Sequence, residues 1–84
     1  MKYATDRPFS DPEKAARKLL DIARTAIAAS GLPYAYTGTT NTEFLRAGGS
    51  VAEYSAGHEY GAKKQWFQIE RSGTRIVLLP DGAD

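Results

Sequence analysis

His58 is the single histidine of an 84-residue chain that contains no cysteine, so proton-transfer or metal chemistry has one imidazole to work with. A zinc-type site needs several further ligands at short, recurring spacings, and the acids at 43, 53, 59 and 70 show none. General acid–base catalysis needs an activated nucleophile beside it, and the chain has neither a Gly-x-Ser-x-Gly elbow nor a phosphate-cradling glycine loop. Gly48-Gly49-Ser50 at a helix start is compatible with an anion, although an inter-helix turn accounts for the same residues more simply. Four residues separate Tyr54 from His58, which places both on one inward helix face and predicts a buried, hydrogen-bonded histidine. The expectation is a protein without catalytic residues, bound metal or cofactor.

Composition excludes more. A 9.1 kDa chain has room for one core and one domain. Its 42% hydrophobic and 25% charged residues are those of a globular protein. Without cysteines, burial alone must hold it together, and a reducing cytoplasm is the default compartment. No run reaches the roughly 20 apolar residues of a membrane helix, and the N-terminus carries no secretory pattern. Eleven basic and ten acidic residues give a net charge of +1, which supplies no overall field toward nucleic acid, membrane or an acidic substrate.

The elements that position these residues follow from caps and glycines. After a lead-in over residues 1–9, Ser10-Asp11-Pro12-Glu13 combines a capping box, an N-terminal proline and an acid at the positive helix end, predicting a helix over 11–30. Ala15, Ala16, Leu19, Leu20, Ile22, Ala23, Ala26 and Ile27 form its apolar stripe, and Gly31 with Pro33 ends it. Tyr34 to Thr37 reads as a short strand closed by Gly38. Thr40-Asn41-Thr42-Glu43 repeats the capping pattern ahead of a helix over 41–47, and Gly48-Gly49 breaks it.

Ser50-Val51-Ala52-Glu53 is a third capping box, predicting a helix over 50–64 that must carry Gly57 and Gly61, each costing about 1 kcal/mol relative to alanine. Both glycines share a face with Tyr54 and His58, where a neighbour can approach closely. The rival is a strand from Val51 to Tyr54 and a glycine-rich loop. Residues 65–79 read as a hairpin turning at Ser72-Gly73, which pairs Phe67 with Leu78, Gln68 with Val77, Ile69 with Ile76 and Glu70 with Arg75.

The fold class is therefore α+β. Helix, short strand, helix, glycine turn, helix and β-ribbon is an element order that resembles a winged helix-turn-helix domain. Phe44 to Tyr54 is similar to the helix, turn and recognition-helix entry of small bacterial proteins of that kind, and Trp66 to Leu79 to their strand, wing and strand; the likeness covers residues 11 to about 82. It implies a non-catalytic binder of double-stranded DNA, possessing a reading helix over 50–64 and a wing over 70–75. This sequence departs from the pattern at Gln65, where a glycine commonly precedes the strand aromatic, at Gly57 and Gly61, and at Glu53 and Glu59, which add negative charge.

Under that reading the phosphate contacts come from Arg46, Lys63, Lys64, Arg71 and Arg75, and the outward residues of the reading helix are Glu53, Ser55, Ala56, Glu59, Tyr60 and Lys63. Five cations against four acids over residues 43–79 leave a surplus of one, and none of the outward residues is an Arg, Asn or Gln suited to bidentate base reading. The alternative class is a protein-interaction or dimerisation module. Both faces of the ribbon carry apolar groups: Phe67, Ile69, Ile76 and Leu78 cover the helices, while Trp66, Val77 and Leu79 need a cover of their own. That cover is Tyr34 or Tyr36, Tyr3 and Phe9 of the lead-in, or a second copy in a homodimer.

Overall fold

The structure, a computed structural model, describes residues 8–80. Three helices, α1 (Pro12–Ser30), α2 (Thr37–Arg46) and α3 (Val51–Lys63), pack with three short strands, β1 (Ala35–Tyr36), β2 (Phe67–Ile69) and β3 (Arg75–Leu78). The strands form one antiparallel sheet in the order β1-β3-β2. This is an α+β arrangement consistent with a winged-helix-like fold. Tyr3 and the tail after Pro80 lie outside the described residues.

Asp11, rather than Ser10, caps α1: its carboxylate accepts the Glu13 backbone N–H at 3.0 Å. Starting the helix one residue later releases the Glu13 side chain from the expected box, and it turns instead to Arg17 and Tyr60. At the other end Gly31, at φ 77°, closes α1 in the left-handed region. The α1 stripe is buried from Ala15 to Ala23, whereas Ala26 and Ile27 stay half-exposed.

The α2 helix begins three residues before the expected capping sequence, so Gly38 lies inside it instead of ending the strand. Its first turn is held by tertiary contacts. The Thr37 N–H donates to the Thr74 carbonyl and the Thr37 hydroxyl to the Gly73 carbonyl, both at 2.9 Å. Thr40, expected as a cap, is fully buried, and its hydroxyl donates to the Thr37 carbonyl at 3.0 Å. The α2–α3 turn uses its two glycines differently. Gly48, at φ 104°, closes α2, whereas a Cβ on Gly49 would stand 2.1 Å from the Phe44 ring.

Ser50 and Glu53 form the expected capping box at 3.1 and 3.0 Å, and the stretch from Val51 is helical, which removes the strand alternative. Gly57 and Gly61 make that helix possible at its observed position. A Cβ at 57 would meet Ala15 of α1 at 2.8 Å, and one at 61 would meet the Phe67 ring at 2.2 Å. Hairpin pairing is as the sequence implies, Phe67↔Leu78, Gln68↔Val77 and Ile69↔Ile76. The turn is longer than two residues: the Gly73 N–H closes on the Glu70 carbonyl at 2.8 Å, with Gly73 at φ 79°. Ala15, Leu19, Leu20, Ile22, Phe44, Phe67 and Ile76 form the common core.

Candidate nucleic-acid interface

The outward side of α3 carries Val51, Ala52, Ser55, Glu59, Ala62 and Lys63, all exposed and spaced along one helical stripe. Two residues expected on it are elsewhere. Glu53 is buried because its carboxylate closes the capping box, and Tyr60 leans toward α1, where its hydroxyl donates to Glu13 at 3.2 Å. Ala56 is half-buried.

A groove of about 560 Å³ runs beside this stripe. Thr37, Gly38 and Asn41 of α2 form one wall, Val51 and Ser55 of α3 a second, and Ile69 and Gly73 of the hairpin the third, with Tyr54 and His58 also lining it. The Tyr54 hydroxyl sits 2.9 Å from the Thr40 hydroxyl and donates to the Thr37 carbonyl at 3.1 Å, tying the α2 and α3 walls together. Burial raises the Tyr54 phenol. The lining is uncharged. Its hydroxyls and amide are of the kind that contact phosphate and sugar oxygens, and its exposed apolar groups are Val51, at 67% exposure, and Ile69, at 38%.

His58 departs from expectation. It is 8% exposed and wedged between the Tyr54 and Phe67 rings at centroid distances of 4.4 and 5.5 Å, yet neither ring nitrogen has a hydrogen-bond partner among the described residues. Burial pushes its pKa down to about 4, so the imidazole is neutral at pH 7.

The cations do not converge on one patch. Lys63 lies on the α3 stripe and Arg71 at the exposed hairpin tip, while Arg46, at the far end of α2, is 3.4 Å from Glu43. Three candidate residues belong to ring contacts: Lys64 stands 5.7 Å from the Tyr60 ring centroid, Tyr60 packs edge-on to Trp66, and Arg75 lies 4.6 Å over Tyr34. Trp66 is half-buried against the core, with Arg17 at 5.0 Å over its ring. Its partners are therefore on α1 and α3; Phe9 packs on Phe44 instead. Val77 and Leu79 remain half-buried on the sheet.

Glu13 links this side together. Hydrogen bonds from Arg17, then Tyr60, hold its carboxyl below the usual range, while burial first and Glu13 second raise the Tyr60 phenol. The wall residues Thr37 and Asn41 carry no local sequence signal, since Thr37 reads as the end of a strand and Asn41 as the first residue of a helix. Among the described residues no group of acids and histidine is placed to hold a metal, and no helix is long and apolar enough to cross a membrane. No family model matches the chain, and neither a curated protein nor a solved structure matches it.

Proposed function

We propose that the protein binds double-stranded DNA without catalysis, through the outward stripe of α3 and the adjoining hairpin tip. The observation that carries this reading is the groove itself: the capped start of α3, the first turn of α2 and the hairpin border one uncharged concavity, to which Asn41 and Ser55 bring side-chain hydrogen-bond donors. Lys63, on the α3 stripe, and Arg71, at the hairpin tip, are exposed cations for phosphate contact, and Arg46, Lys64 and Arg75 add peripheral ones. Ser55 and Glu59 face outward between the two ends, and neither makes the paired hydrogen bonds that best distinguish bases. Recognition then rests on backbone and groove shape more than on base edges.

The test is fluorescence anisotropy with a labelled random duplex at several salt concentrations. Binding should weaken as salt rises, and Lys63→Ala and Arg71→Ala should each make the log–log slope shallower by about 1. Salt-independent binding, or no binding at low salt, overturns the reading. A second reading, a protein-interaction module, is favoured by one observation: Val51 and Ile69 expose apolar surface to the same groove. It predicts no duplex affinity, with Val51→Ser abolishing capture of the partner or self-association in sedimentation.

A further inference from the structure

We propose that a cleft between the end of α1 and β1 binds a nucleotide unit, with the base against Tyr36 and the phosphate at Arg75. The cleft shares no lining residue with the groove; Arg75 belongs to both readings, and Tyr36, which the duplex reading does not use, separates them. The cleft holds about 350 Å³, within the range of small-ligand sites, and Ala26, Ala29, Leu32, Tyr34, Tyr36 and Thr39 line it. Small residues, Ala26 and Ala29, form its α1 side.

Its aromatic wall is built for a flat ligand. Tyr34 and Tyr36 meet edge to face at 5.3 Å, with their hydroxyls 3.4 Å apart. Tyr36 is 46% exposed and borders a second cavity, beside Thr39, Thr42 and Glu43, so its ring stands between two open spaces. Antiparallel pairing sets Arg75 directly across from Tyr36 and brings its guanidinium 4.6 Å over Tyr34. Glu70 forms an ion pair with Arg75 at 3.8 Å, too long for a hydrogen bond, which leaves guanidinium N–H donors able to turn to an anion. Arg75 lies outside the slot, reached past Tyr34, so an exposed ring for stacking, an apolar slot and a guanidinium at its aromatic wall match a base in the cleft with its phosphate directed out of it.

The source of that nucleotide is a free mononucleotide or an unpaired strand. The experiment is amide chemical-shift mapping of the full chain with AMP, adenosine, inorganic phosphate and a twelve-residue oligo(dA). AMP should shift Ala29, Tyr36 and Thr39. Tyr36→Ala should weaken binding about tenfold, as loss of one stacked base does, whereas Tyr36→Phe retains it. Arg75→Gln should reduce AMP affinity to that of adenosine. The same spectra report whether each variant is folded. Tighter binding of the oligonucleotide identifies a single strand as the source; binding of AMP alone identifies the free nucleotide. Silence at the three amides with both ligands overturns the proposal, as does wild-type affinity in Tyr36→Ala, or shifts at Asn41 and Ser55 instead.

Discussion

A buried imidazole whose two nitrogens find no partner among the described residues, as in His58, carries a desolvation cost that a hydrocarbon of similar size would not. That cost appears as pH dependence. The folded His58 pKa of about 4 lies below the 6.5 of an unperturbed histidine, so the unfolded chain takes up its proton first as pH falls. Stability from this group is complete above pH 6.5 and declines until about pH 4, with a difference of roughly 3 kcal/mol. Urea unfolding at pH 7 and pH 4.5 should show most of that loss in the parent and a smaller one in His58→Leu, which should be no less stable at pH 7. Equal acid sensitivity of both proteins would show that His58 does not titrate from a buried neutral state.

At the scale of elements, α3 is defined by its two ends and its glycine face. It closes in a Schellman arrangement, with the Trp66 N–H on the Gly61 carbonyl at 2.9 Å and the Gln65 N–H on the Ala62 carbonyl at 3.0 Å. This places Gln65 at φ 61°, a left-handed conformation that glycine adopts without steric cost, at the position where resemblance led one to expect glycine. Gln65→Gly should therefore raise thermal stability, by about 0.5–1 kcal/mol once the greater entropy of unfolded glycine is deducted. A drop in Tm would count against strain there. Along the same helix, Gly57→Ala improves helix propensity but drives a methyl into Ala15, including its backbone carbon at 3.0 Å. Separating α1 from α3 should outweigh the propensity gain, for a net loss of about 1–3 kcal/mol in denaturant titration.

Charge at the scale of the whole molecule limits how it can bind. The chain is close to neutral, two of its five candidate phosphate contacts lie within 4 Å of an acid, and the five are dispersed around α2, α3 and the hairpin. Even full engagement of all five bounds the salt slope at about −4.5, from about 0.9 per phosphate neutralised. A measured slope well beyond that bound would require cations outside this set, such as those of α1. Tyr34, Tyr36 and Arg75 divide the labour differently: one cation over an aromatic pair uses geometry where net charge is lacking.

Features set within a few residues were legible in advance. Ser50 and Glu53 form their box because both partners lie within one turn, and the hairpin pairing follows from two alternating runs around a turn centred on Ser72-Gly73. The start of α2 was not, since its first turn is stabilised by Thr74 and Gly73, more than thirty residues away, while Thr40, its local capping residue, is buried. The same distinction governs the candidate sites. Sequence placed Lys63, Ser55 and Glu59 on the outer side of a helix, because 3.6-residue periodicity sorts one side from the other once the buried positions are known. Only tertiary packing decided that Tyr60 turns to Glu13, that His58 is wedged between the Tyr54 and Phe67 rings, and that Arg75 lies over Tyr34, because each depends on what a distant segment brings within a few ångströms.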